Sequence, residues 1–134
     1  TTITKIKNCS RKNNYDGFMV YNLYPLRCTN PNELPKSIDK KLLKKNSQAI
    51  CNYIKESKQN DTWVAWGELI TKRKYLISCL LEIIDLTVPL NPNWLSIGDT
   101  TKNGHPRHPS RISYENEFNT FNMNVYIDKL TKLF

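Results

Sequence analysis

Both histidines of this 134-residue chain fall within one octapeptide, Gly104-His105-Pro106-Arg107-His108-Pro109-Ser110-Arg111. Two prolines fix the backbone, two imidazoles can switch charge or donate a hydrogen bond near neutral pH, and two arginines can hold phosphate or carboxylate bidentately. A rigid, polar, cationic loop is an anion site in prospect. The alternative is a surface loop whose histidines satisfy neighbouring carbonyls. A metal site is not expected. His105 and His108 lie three residues apart in a proline-broken loop, and distant Asp99 is the best third ligand on offer. No cofactor is expected either.

Three further positions carry chemical interest. Asn22 interrupts the apolar run Phe18 to Tyr24, where its paired donor and acceptor suit the edge of a nucleobase or a backbone turn. Arg27 follows in the same loop and can reach the same ligand or pair with Glu33. Trp66-Gly67 ends a second apolar run, where the tryptophan serves as core packing or as a stacking platform. Serine-hydrolase chemistry lacks its G-x-S-x-G elbow, phosphoryl transfer lacks a P-loop, and no loop holds paired carboxylates.

These residues need elements to position them. Phe18 to Tyr24, Thr62 to Trp66 and Trp94 to Ile97 read as short buried strands, the last two running into Gly67 and Gly98. Leu42, Leu43, Asn46, Ala49, Ile50, Tyr53 and Ile54 recur at helical spacing behind a Ser37 or Asp39 cap. Tyr75, Leu76, Cys79, Leu80, Ile83 and Ile84 repeat the pattern until Pro89 stops it, and Met123, Tyr126, Ile127, Leu130 and Leu133 close the chain. With a helical segment at the amino end, the alternation predicts one α/β domain over residues 1–134, its parallel sheet covered on both faces in three α/β/α layers. Ligands of such sheets bind beyond the carboxyl ends of the strands, which selects the loops Asn22 to Pro35, Gly67 to Thr71 and Gly98 to Ser113.

The formal charge is +8, and all of it sits in residues 1 to 60, which hold twelve basic and four acidic side chains against eight of each in the remainder. Lys40, Lys41, Lys44, Lys45, Lys55 and Lys58 either solubilise one helix face or meet an anionic partner. No apolar run reaches the ~18 residues of a spanning helix and no signal-peptide pattern opens the chain, so no membrane partner and a cytoplasmic location are expected. Cys9, Cys28, Cys51 and Cys79 form no C-x-x-C pair and read as reduced, mainly buried thiols.

The segments Val20-Tyr21-Asn22-Leu23-Tyr24-Pro25-Leu26-Arg27, Asn30-Pro31, Val64-Ala65-Trp66-Gly67 and Thr101-Lys102-Asn103-Gly104-His105-Pro106-Arg107-His108-Pro109 resemble the domain of unknown function 1643 of bacterial and phage proteins. The resemblance covers nearly the whole chain. Its members carry upstream a strand ending in L-N-P-S, and this chain, which opens on Thr1, is expected to lack that first strand. The same segments are more distantly similar to the uracil-DNA glycosylase superfamily, in which one strand ends in Asn, a later one in Trp-Gly, and a final loop reads H-P-S-x-L-S. Here the counterparts are Asn22, Trp66-Gly67 and His108-Pro109-Ser110-Arg111-Ile112-Ser113.

That resemblance implies a glycosylase-like fold acting on nucleic acid, with DNA favoured over RNA, or on a nucleotide. It implies that Asn22 reads a flipped base, that neutral His108 bonds a base carbonyl and stabilises the leaving anion, that Ser110 and Ser113 hold phosphates, and that Ile112 is the wedge filling the vacated stack. Arg27, Trp66, Gly67, His105, Arg107 and Arg111 complete the expected base- and nucleotide-binding set. Arg111 replaces the second proline of the superfamily loop, and no residue inherits the role of the water-activating Asp or Asn of its first-strand loop. Catalysis is therefore left open. A non-catalytic nucleotide- or protein-binding module on the same fold, and an interaction protein using the basic helix, are the alternatives.

Overall fold

The computed structural model describes residues 2–25, 30–57, 60–113 and 117–133. Arg27, Cys28 and Lys58 lie outside them. The elements run α1 (Thr2–Lys12), α2 (Lys40–Glu56), β1 (Asp61–Trp63), α3 (Lys74–Thr87), β2 (Asn93–Ile97), β3 (Phe118–Thr120) and α4 (Met123–Leu133), with short 3-10 turns at Pro31–Glu33, Gly67–Thr71, Val88–Leu90 and Pro109–Arg111. The chain divides into two compact units, one made of Thr1–Val20, Thr62–Glu68 and Trp94–Phe134, the other of Tyr21–Asp61 and Leu69–Asn93.

The first unit is built on the sheet, whose strand order is β1-β2-β3. β3 runs antiparallel to β2 in the register Leu95↔Thr120, Ser96↔Asn119 and Ile97↔Phe118, and the Phe121 N–H extends the ladder to the Trp94 carbonyl at 2.8 Å. On the other side the Asn93 N–H bonds the Asn60 carbonyl and the Val64 N–H bonds the Leu95 carbonyl, a ladder advancing forward along both segments, which is the parallel sense. Leu95, Ser96 and Ile97 are all buried, as expected of a strand covered on both faces. Ile97 joins Cys9 of α1 and Ile112 in a small core, against which Trp63 and Phe118 pack, their rings edge to face with each other at 5.2 Å. α4 presents Met123, Tyr126 and Leu130 inward at helical spacing.

In the second unit α2 and α3 pack along Ile50, Ile54 and Ile83, flanked by Leu23 and Leu90. Asp39 is the cap of α2, its Oδ1 accepting from the Lys41 and Leu42 N–H groups. The Asp39 N–H in turn bonds the Tyr24 hydroxyl at 3.0 Å. The Arg73 guanidinium gathers the carbonyls of Asn32, Leu34 and Pro35 at 2.9 to 3.3 Å, stitching the loop before α2 to the start of α3. α3 ends at Thr87, directly before the Val88–Leu90 turn that contains Pro89. Cys9 and Cys79 are buried free thiols and Cys51 is half-buried.

Two expectations are corrected. The sheet is small and mixed rather than wholly parallel, because β3 turns back against β2. Phe18 to Tyr24 is not a buried strand. It forms no regular element, and Phe18, Met19, Val20 and Tyr21 are exposed. An apolar, β-branched and aromatic run favours extended backbone, but a strand exists only where a neighbour takes its hydrogen bonds. Among the described residues none does.

Candidate functional site

β2 delivers the chain through Gly98 into the histidine loop. The loop first closes a tight turn, in which the Thr101 N–H bonds the His105 carbonyl and the Gly104 N–H bonds the Thr101 carbonyl, both at 2.8 Å. The turn needs the left-handed backbone at Gly104, φ +87°. The His105 N–H closes it a third time on Thr101 Oγ1. From there the loop meets the Gly67–Thr71 turn, where the Gly67 N–H donates to the Pro106 carbonyl at 2.8 Å. Gly67 adopts φ +60°, a backbone conformation that favours glycine, and its Cβ position lies in contact with His108, 3.4 Å from that Cβ. The expected convergence of the Gly67 and Gly98 to Ser113 loops is thus a direct contact within the first unit.

The two histidines occupy opposite environments. His105 is 2% exposed, with Nδ1 2.8 Å from the Tyr126 hydroxyl and Nε2 3.3 Å from Glu68 Oε2. Burial pushes its pKa below the ordinary 6.5, and the Glu68 carboxylate opposes that only in part, so the ring is neutral at physiological pH. A carboxylate facing Nε2 requires the proton there, which makes Nδ1 the acceptor of the Tyr126 O–H. Tyr126 Oη in turn accepts from Trp66 Nε1–H at 2.8 Å. The result is a directed chain, Trp66 to Tyr126 to His105 to Glu68, in which every donor has an acceptor. Burial raises the Tyr126 pKa to about 12, which keeps the phenol a donor. Glu68 itself is 45% exposed, and its Oε1 also accepts from Asn103 Nδ2 at 3.2 Å.

His108 is exposed and caps the Pro109–Arg111 turn. Its Nδ1 accepts from the Ser110 N–H at 3.2 Å and lies 2.8 Å from Ser110 Oγ. With Nδ1 committed as acceptor, the neutral ring carries its proton on Nε2, which has no protein partner among the described residues. Partial desolvation and then the Arg111 charge lower its pKa from 6.5, favouring that neutral form. The turn is held from α1, whose Lys5 Nζ donates to the Ser110 and Ile112 carbonyls at 3.3 and 3.0 Å. Arg107 is spent on loop structure, with Nε on the Asp99 carbonyl at 2.7 Å. Arg111, Ser110 and Ser113 are exposed.

Several expected site residues take other roles. Ile112 is 6% exposed within the Cys9 and Ile97 core, so its side chain is packing and not a protruding wedge. Trp66 is half-buried and its indole N–H is bound to Tyr126, the packing role rather than a stacking platform. Asn22 belongs to the second unit, on a segment with no strand, and its carboxamide is exposed rather than buried at a strand end. Its carbonyl accepts from Asn46 Nδ2 at 2.8 Å. Sequence reasoning missed Glu68, Asn103, Lys5 and the polar role of Tyr126. The adjacency of Glu68 to Trp66-Gly67 was the available signal.

Among the described residues no group of three or more His, Cys, Asp or Glu is placed to hold a metal ion, and no helix is long and apolar enough to cross a membrane. No curated protein matches the chain, and no solved structure matches it. A family model does match: residues 1–110, a span that includes Trp66-Gly67, both histidines and Ser110, fit the protein of unknown function DUF1643, and the chain belongs to that family.

Proposed function

We propose that the first unit binds an unpaired nucleobase or nucleotide at the edge formed by Gly67, Glu68 and the His105 to Ser113 loop, the base-handling role expected of a glycosylase-like domain. The observation that carries this reading is the state of His108: a neutral imidazole with Nδ1 occupied by Ser110, hence a fixed Nε2–H donor, exposed on a backbone clamped against Gly67. A neutral donor suits a base carbonyl without attracting every anion in solution. Arg111, three residues on, is exposed, and α1, whose Lys5 bonds this turn, carries exposed Lys7, Arg11 and Lys12 and no acidic residue. These supply the phosphate attraction.

Binding without turnover is the second reading, favoured by Ile112. A domain that empties a duplex stack needs an exposed wedge, and this one is in the core. Single-stranded or free ligands need no wedge.

The test is fluorescence anisotropy with a labelled single-stranded oligonucleotide over a salt series. Affinity should fall steeply with salt, and His108→Ala should weaken binding up to about tenfold, the worth of one net hydrogen bond. Binding that ignores salt, or none at micromolar protein, refutes the reading.

A further inference from the structure

The outer face of α2 carries a cost that the fold does not recover. Lys40, Lys41, Lys44 and Lys45 are all exposed in its first turns, and its one acidic residue, Glu56, stands at the far end. Lysine at a helix amino end meets the positive pole of the dipole, and Lys40 with Lys44, like Lys41 with Lys45, is a like-charge pair one turn apart. Both effects destabilise the helix. Among the described residues none of the four ammonium groups has an ion-pair partner.

Two uncovered rings border this face. The helical repeat assigns Tyr53 to the apolar side, yet it is 42% exposed, and its ring meets that of Tyr21, 38% exposed, edge to face at 5.9 Å. Asn46 holds the Tyr21 segment on the helix, its Nδ2 donating to the Asn22 carbonyl at 2.8 Å and reaching the Leu23 carbonyl at 3.4 Å. Lys41, Lys45, Gln48 and Asn52 succeed one another at helical spacing opposite the buried Ile50 and Ile54, with Gln48 Nε2 donating to Asn52 Oδ1 at 2.9 Å. The polar stripe therefore runs from the lysines to the residue before Tyr53. All of these residues belong to the second unit.

We propose that this face docks single-stranded nucleic acid, the lysines meeting its phosphates and the Tyr53 and Tyr21 rings its bases. Ammonium groups on flexible stems neutralise a polyanion of any sequence, and aromatic rings stack on any unpaired base. A duplex keeps its bases stacked on one another and would leave the rings idle. A membrane surface would call for apolar side chains free to enter it, and the apolar side of α2 is packed against α3. The surface uses no residue of the His108 edge and stands whether or not that edge binds a base.

The experiment is fluorescence anisotropy of the full chain with a short labelled oligothymidylate over a salt series. It compares the parent, the combined variant Lys40→Gln, Lys41→Gln, Lys44→Gln and Lys45→Gln, the single variants Tyr53→Leu and Tyr53→Phe, and His108→Ala. The lysine variant should reduce the slope of log affinity against log salt by about 3, at ~0.7 per lysine on a single strand. Tyr53→Leu should weaken binding at least about fivefold at every salt concentration with the slope unchanged, whereas Tyr53→Phe, which keeps the ring, should bind like the parent. A blunt duplex of equal length should bind more weakly and be indifferent to Tyr53→Leu. A lysine variant with the parent slope, undiminished binding by Tyr53→Leu, tighter binding of the duplex, or sedimentation with phosphatidylserine vesicles while the oligonucleotide is ignored overturns this inference. A loss confined to His108→Ala in the same series likewise overturns it and leaves the nucleobase reading standing. The expected lysine and tyrosine effects beside an unaffected His108→Ala do the reverse.

Discussion

Replacing Tyr126 with Phe removes one oxygen and leaves the ring, so it creates almost no cavity and isolates the hydrogen-bond chain. Two groups lose their partner at once: the Trp66 indole N–H and His105 Nδ1. An orphaned buried polar group costs about 1–3 kcal/mol. His105 is 2% exposed and lies at the upper end of that range, while half-buried Trp66 recovers part of its loss from water. The sum is about 2–4 kcal/mol, a large share of the ~5–15 kcal/mol typical of a folded protein, and corresponds to a fall in melting temperature of roughly 10 °C for a chain of this size. Thermal denaturation followed by circular dichroism measures it directly. Trp66→Phe and the double variant complete a cycle: because Trp66 and His105 share one oxygen, the combined loss should fall short of the two single losses by at least about 0.5 kcal/mol. A Tyr126→Phe protein within ~0.5 kcal/mol of the parent, or strict additivity in the cycle, would refute the argument that this chain is a satisfied, directed unit.

Two other outcomes follow from the same geometry. Both histidine pKa values are held below 6.5, so below that pH the unfolded chain binds protons that the folded chain refuses. Stability is fully present above pH 6.5 and falls as pH drops toward the folded values, and a melting series over this range should flatten in His105→Gln. Gly67→Ala forces a side chain into the left-handed region at φ +60° and sets its Cβ 3.4 Å from His108. It should cost about 1–2 kcal/mol in urea unfolding, from the backbone conformation and not from the contact.

The legible part of the sequence was what periodicity and composition encode. Asp39 and Pro89 bracket the helices as their chemistry requires; Ile50 and Ile54 of α2, Leu76, Cys79, Leu80 and Ile83 of α3, and Met123, Tyr126 and Leu130 of α4 are buried at the expected spacing, whereas Ala49 and Tyr53 of α2 are exposed. The histidine loop and its meeting with Gly67 were also legible, because glycine at a strand end and proline-fixed loops restrict the backbone locally. Phe18 to Tyr24 was misread because strand propensity describes one chain, whereas a strand is a property of a pair. β3 was missed for the converse reason: Phe118-Asn119-Thr120 is too short and polar to show a pattern, and its place beside β2 supplies what its sequence lacks. Adjacency to Trp66-Gly67 was the one local signal for Glu68; its contacts with His105 and, through it, Tyr126 were not legible, the latter lying 58 positions away along the chain and recognisable from sequence only as an apolar-face residue.

Placing two histidines three residues apart in opposite environments is what makes the loop a usable surface. His105 is a buried anchor, and Pro106 beside it is fully buried with its carbonyl bound to Gly67. Pro109, on the far side of His108, is buried too. His108 is therefore pinned on both flanks while its ring stays exposed, and Ser110 fixes the tautomer. A ligand meeting a donor already locked in place loses less free energy to ordering than one meeting a mobile side chain. Glu68 is likewise held from two sides, by the buried His105 and by the exposed Asn103. The +8 charge contributes attraction but no such geometry, because its lysines on α2 are exposed side chains with free rotors. Affinity that depends on salt and the hydrogen bond that depends on His108 should therefore separate: raising the salt should weaken oligonucleotide binding of the parent and of His108→Ala alike while leaving the ratio between the two almost unchanged.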